Sequence, residues 1–244
     1  MKKSLSEIRA MAREDLAGKW SNAVLLTVVY FLITIPVTSL VNNGSYPLNT
    51  VVRCWFINPL AWGFAIAFLN NSRGSESSFG ISKLFDGFRD YSRITYTLVL
   101  ESIYVVLWTL LMAIPSVILY IAIRYDSLPV SPPSIESVES LIIFLCFTPC
   151  WIILIIKSLS YFLSSYLLKD NPELKNNAAI ELSMQMMKGH KMKLLLLNLS
   201  FIGWTFLCIL TLGVGLLWLI PYIQASCARF YEEVKAEFEQ NNVE

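Results

Sequence analysis

Apolar positions along this chain come in long blocks, and polar positions gather in short islands between them. The clearest block runs from Leu194 to Ala228, 35 residues without a Lys, Arg, Asp, Glu or His. A straight helix of that length would reach roughly 52 Å, whereas the hydrocarbon core of a bilayer is about 30 Å thick. The block is too long for one span and suits two, joined at Thr211-Leu212-Gly213-Val214-Gly215, where the backbone turns cheaply. The same pattern predicts six spans, roughly Trp20–Val41, Cys54–Leu69, Ile94–Ile123, Leu141–Leu168, Leu194–Leu212 and Leu216–Phe230. The expected fold class is all-α: a polytopic membrane helix bundle of six transmembrane helices forming a single membrane domain over residues 1–244, with amphipathic helices on the cytoplasmic side. Pro36, Pro59, Pro115, Pro149 and Pro221 lie within spans, where neighbouring helices can satisfy the carbonyls that proline frees.

The polar islands share a pattern of amphipathic stretch, glycine, basic or aromatic residues, then a span. Aligned on glycine they read Asp15-Leu16-Ala17-Gly18-Lys19-Trp20, Phe85-Asp86-Gly87-Phe88-Arg89 and Met187-Lys188-Gly189-His190-Lys191-Met192. The first opens on the capping-box pattern Ser4-Leu5-Ser6-Glu7 and sets Leu5, Ile8, Ala12 and Leu16 on one face. The second has Leu84, Phe85, Phe88 and Tyr91 at helical spacing. The third opens at Asp170-Asn171-Pro172, a cap followed by proline, and aligns Leu174, Ala178, Leu182 and Met186. Gly18, Gly87 and Gly189 are thus expected to end helices in the left-handed conformation, with Gly213 and Gly215 forming the last hairpin's hinge. Three hairpin repeats follow as an expectation, over 1–70, 79–168 and 172–235.

Charge then orients the bundle. Sixteen Lys and Arg residues fall on the side that carries both termini, and two, Arg53 and Arg124, on the other, which predicts cytoplasmic termini in a bacterial inner membrane. Net charge is only +1, giving no sign of a nucleic-acid partner. The first 20 residues mix basic and acidic positions and read as amphipathic rather than as a cleavable signal. Segments between spans reach about two dozen residues, too short for a nucleotide-binding domain. The expected partners are the lipid bilayer and either another membrane protein or a second copy of the chain.

Candidate chemistry is sparse. Glu101 and Lys157 fall inside spans, where a charge costs about 3 kcal/mol and therefore pairs or faces water. Their depths would let them meet, or bridge through Tyr104 or Tyr161, as an intramembrane polar site or as a structural ion pair. Ser160 and Ser164 form one small-residue surface and Gly63 and Ala67 another, both suited to close helix packing. Cys54, Cys146, Cys150, Cys208 and Cys227 include no CxxC pair, and His190 is the only histidine. No catalytic residues, metal ligands or cofactor are expected.

Several stretches resemble a bacterial membrane family, domain of unknown function 975. They are Gly189-His190-Lys191, Leu199 to Trp204, Leu210 to Leu216, Pro221-Tyr222-Ile223-Gln224 and Phe230-Tyr231, with Asn58-Pro59-Leu60, Arg73-Gly74, Leu84 to Phe88 and Asp170-Asn171-Pro172 upstream. The resemblance covers nearly the whole chain. It implies an integral membrane protein, distantly similar to the membrane domain attached to some glycerophosphodiester phosphodiesterases, and supplies no catalytic residues. The leading expectation is a protein that acts by binding, as a scaffold or lipid-interacting module. A small-solute or ion transporter using Glu101 and Lys157 comes second, and a membrane lipid enzyme third.

Overall fold

A computed structural model describes residues 3–42, 50–75, 77–125 and 151–243. Its elements in chain order are α1 (Leu5–Leu16), α2 (Trp20–Asn42), a π turn (Arg53–Ile57) leading into α3 (Asn58–Ser72), a 3-10 segment (Ile81–Phe88), α4 (Tyr91–Tyr125), α5 (Trp151–Asp170, with an irregular turn at Phe162-Leu163), α6 (Asn176–Met186), α7 (Lys191–Leu199), α8 (Ile202–Leu210) and α9 (Leu216–Val243). No strand occurs among the described residues.

Five helices are long and apolar enough to cross a membrane: Trp20–Leu40, Thr50–Ser72, Tyr91–Leu111, Trp151–Asp170 and Lys191–Leu210. The expected sixth span is absent from this set. α9 is a single long helix, but it is uncharged only from Leu216 to Ala228, and Arg229, Glu232 and Glu233 follow. Thirteen residues reach about 20 Å, short of a bilayer core. The start of the fourth expected span, with Cys146, Pro149 and Cys150, and most of the two longer outer loops lie outside the described residues.

α3 forms the centre. It buries Leu60, Trp62, Phe64, Ile66, Ala67, Phe68 and Leu69, nearly all round its circumference, as a helix enclosed by others must. Outward-facing apolar residues instead line α2 (Leu32, Ile35), α4 (Leu107, Leu110, Ile114) and α8 (Phe206, Ile209, Leu210). Contiguous exposed apolar surface on this scale suits lipid rather than water.

The entry to α3 shows how the sequence dictates its detail. Pro59 cannot donate to the carbonyl four residues back, and its ring crowds that carbonyl. The preceding turn widens to π, and the Tyr91 hydroxyl donates to the freed Trp55 carbonyl at 2.8 Å. The 3-10 segment then seats on α3 through two glycines. A Cβ on Gly63 would fall 2.3 Å from the Leu84 carbonyl oxygen, and one on Gly87 would fall 2.2 Å from that of Pro59.

Three sequence expectations are corrected here. The second amphipathic stretch is a 3-10 segment, with Leu84 buried and Phe85 exposed. Gly87 is not a left-handed cap; it permits a backbone contact. Gly18 and Gly189 do adopt φ of +72° and +83°. The third amphipathic helix starts at Asn176, not after Asp170, and buries Ala179, Ile180, Ser183 and Met186. Its N-cap, Lys175, has no side-chain acceptor and makes no cap bond, while Asp170 is engaged elsewhere. At the last turn Gly213 has φ +86° and Leu212 +52°, while Gly215 has ordinary φ and is crowded by Cys208 and Thr211.

α1 does form the expected capping box between Ser4 and Glu7 and buries Ile8, Ala12 and Leu16 completely. That apolar face packs on α9 and α3. Ion pairs Lys3–Glu233 and Asp15–Arg229 join α1 to the charged half of α9, so the described N- and C-terminal helices share one end of the bundle.

Candidate functional site

The two charges inside spans do not come together. The Ser164 hydroxyl donates to the Glu101 carboxylate at 2.9 Å, and Glu101 lines a cavity of about 480 Å³ with Asn58, Trp62, Ser102 and Ser165. Lys157 occupies a different cavity, of about 450 Å³, with Tyr104, Tyr161, Asn177, Glu181 and Met184. Its ammonium sits 4.0 Å from the centroid of the Trp108 ring, a cation–π contact. Trp108 donates to the Tyr161 hydroxyl at 3.2 Å, and the Tyr104 hydroxyl donates to Asn177 at 2.8 Å. The tyrosines expected to bridge Glu101 and Lys157 therefore belong to the lysine's side alone.

α6 explains this division. It packs against α4 and α5. Ser183 donates to the Ser160 carbonyl at 2.8 Å and accepts from the Leu163 amide at 3.1 Å, which satisfies the backbone where α5 is irregular. Ser160 and Ser164 thus serve different partners. α4 has 35 residues, hence roughly 52 Å, and overshoots a bilayer core of about 30 Å. Glu101, ten residues from the start of α4, is at the midpoint of its bilayer-length stretch Tyr91–Leu111, whose first turn, with Arg93, is at the charged end of the bundle.

A layer of fixed charge pairs closes that end. Asp170 accepts both forks of Arg73 (2.6 and 2.8 Å), the Tyr231 hydroxyl (2.7 Å) and the Lys235 ammonium (2.5 Å). Arg73 also donates to Glu232 at 2.8 Å. Hydrogen bonding to Asp170 raises the Arg73 guanidinium above its ordinary pKa, and burial, reinforced by Asp170, holds the Tyr231 phenol well above its own. Arg93 donates to the Leu168 and Asn171 carbonyls, and Asn71 links Lys19 to the Asp15 carbonyl. Asp170 had read as a helix cap because its neighbours Asn171 and Pro172 fit that pattern; nothing local announces partners 61 to 97 positions away.

A third cavity, about 530 Å³, lies between α1, the start of α2, α8 and α9. Its lining joins Ser6, Arg9 and Arg13 to Trp20, Trp204, Trp218 and Tyr222, with no carboxylate among the lining residues. The two arginines had registered only as part of the basic count near the N-terminus. Their spacing, i and i+4 on the polar face of α1, was the available signal.

His190 lies with its Nε2 3.8 Å from the Glu237 carboxylate. The described cysteines, Cys54, Cys208 and Cys227, are free thiols. No group of three or more His, Cys, Asp or Glu that could hold a metal ion occurs among the described residues.

Five apolar helices long enough to cross a membrane, together with an apolar exterior among the described residues, are consistent with a multi-pass membrane protein. The chain belongs to the family described as protein of unknown function DUF975, which matches residues 1–237. No curated protein and no solved structure matches it.

Proposed function

We propose that this chain is a multi-pass protein of the bacterial cytoplasmic membrane, with both termini in the cytoplasm, that acts by binding: a scaffold or lipid-interacting module. The observation that carries this reading is the separation of Glu101 and Lys157 into two cavities, each with its own local partner. Charges that carry an ion across a bilayer line a common path; these two stabilise different helix contacts.

The topology follows from the shared end of α1 and α9, which requires an even number of crossings. We take four crossings, by α2 to α5, with the α7–α9 hairpin dipping in from the cytoplasmic side, since α9 has only about 20 Å of uncharged helix. The amides of Thr211 to Leu219 all find acceptors within the hairpin, as a turn inside hydrocarbon demands. The first and third amphipathic segments, each a helix, a left-handed glycine and a membrane leg, support the repeat relation; the 3-10 segment is its divergent middle copy.

A photocrosslinker at Met184, in the Lys157 cavity, tests the function. The binding reading expects one lipid class or one membrane protein to be recovered, either a foreign chain or a second copy. Ion or solute flux in proteoliposomes that Glu101→Gln and Lys157→Met each abolish, in folded protein, would replace it with the transporter. Thiol labelling of Val214→Cys in a cysteine-free background tests the hairpin: modification by an impermeant reagent from the outer side overturns the dipping topology.

A further inference from the structure

Arg9 and Arg13 are one turn apart on α1, like charges at i and i+4, an arrangement that weakens a helix. Elsewhere in this end of the bundle basic groups meet carboxylates: Arg73 and Lys235 on Asp170, Arg229 on Asp15, Arg93 on Asp90. Neither Arg9 nor Arg13 has a carboxylate partner among the described residues. The Arg9 Nε is buried yet unpartnered, on a side chain that lines the 530 Å³ cavity. An anionic occupant beside this guanidinium would offset part of the cost of burying it unpaired.

The rest of the cavity states what that acceptor is attached to. Beyond the arginines its walls are Trp204, Leu207 and Trp218, each about half exposed and continuous with the outward apolar surface of α8. The cavity follows α9 from Tyr222 to Gly215, about 10 Å of helix rise, from the cationic end into apolar territory. A cationic end with no competing carboxylate, joined to an aromatic slot that faces lipid, complements a molecule with an anionic head and a hydrocarbon tail. Guanidinium forks match phosphate oxygens in geometry as well as charge.

We propose that this cavity binds one anionic glycerophospholipid. Its phosphate is held between Arg9 and Arg13, with Ser6 as an added donor, and the upper part of one acyl chain lies between Trp204 and Trp218. This rests on the binding reading and names its ligand class. The docked lipid bridges α1 to the α8–α9 hairpin, so occupancy ties the cytoplasmic helix to the membrane-embedded one.

The test uses the full chain in detergent micelles, with bound lipid read by native mass spectrometry and by the shift in unfolding temperature. Dioleoyl phosphatidylglycerol, dioleoyl phosphatidylcholine and inorganic phosphate are the three probes. The expected result is retention and stabilisation with phosphatidylglycerol, weak retention of phosphatidylcholine and no shift with phosphate. Arg9→Gln and Arg13→Gln should each weaken phosphatidylglycerol binding about fivefold to tenfold. Arg13→Lys keeps the charge and should retain most of it, and Trp204→Ala, at the exposed wall, should weaken the lipid while leaving helical content unchanged. Equal retention of the two lipids, or undiminished binding by the Arg9→Gln/Arg13→Gln double variant, overturns the proposal. So does an equal shift with inorganic phosphate, which would mark a headgroup-only anion site. In each of those cases the Met184 crosslink, on another face of the bundle, still decides the binding reading separately.

Discussion

The bundle has two unlike sides at its charged end. Around α3, the 3-10 segment and the end of α5, the packing is closed: backbones meet at Gly63 and Gly87, and Asp170 gathers three donors. Between α1, α8 and α9 the packing is open, and two arginines line a cavity without a counter-charge. The same residue type therefore does two jobs. Arg73 is spent on internal architecture, held bidentate by a carboxylate whose side chain is 6% exposed. Arg9 and Arg13 are left for something from outside the chain. Whether an arginine is paired, rather than how many arginines there are, separates structure from candidate function here.

The sharpest way to break this comparison is to remove the centre of the closed side. Asp170→Ala leaves Arg73, Lys235 and Tyr231 without their shared acceptor, and breaking a buried charge cluster costs about 3–4 kcal/mol. Thermal unfolding in detergent should show this as the largest loss among the variants considered. A loss below about 1 kcal/mol would mean the layer is solvated and the contrast with Arg9 and Arg13 is illusory.

The backbone seat comes next. In Gly87→Ala the new methyl would meet the Pro59 carbonyl, so the 3-10 segment must lift off α3, at about 1–3 kcal/mol. Gly18→Ala has open space around its Cβ and suffers only the left-handed strain of its φ. The ordering of the two by unfolding temperature tests whether the closed side is closed by backbone contact. Tyr91→Phe removes the side-chain donor to the Trp55 carbonyl that Pro59 frees, and should cost about 1 kcal/mol by the same measurement.

These variants also mark what the sequence could and could not say. Five of the six long apolar helices, the capping box of α1 and the left-handed glycines at positions 18 and 189 are set by local periodicity and local sterics, so they were legible. Gly87 looked like its aligned neighbours, but its role is fixed by Pro59, 28 positions away, and a glycine permits either use. Glu101 and Lys157 were assigned depths along straight, parallel helices. The packing places them in two cavities, the lysine's lined in part by α6, that no spacing argument could foresee. Asp170 was misread for the reverse reason: a plausible local role concealed a long-range one. The arginine cavity was invisible because emptiness is a property of packing, and only the i, i+4 spacing of its charges was written in the chain.

The smallest expected effect is the most discriminating. Arg13→Gln touches no partner among the described residues, so in lipid-free detergent its stability should match the parent within about 0.5 kcal/mol. Removing one of two like charges a turn apart would, if anything, relieve α1 slightly. A ligand that binds only the folded state stabilises it in proportion to its occupancy. Adding an anionic phospholipid should therefore separate two proteins that were indistinguishable without it, raising the unfolding temperature of the parent more than that of the variant. Asp170→Ala must do the opposite: low stability in both conditions, with the lipid-dependent increment intact, because the ion-pair layer and the arginine cavity share no side chain. If instead the two variants lose stability together and respond to lipid together, the open and closed sides are one cooperative unit, and the unpaired arginines belong to the architecture after all.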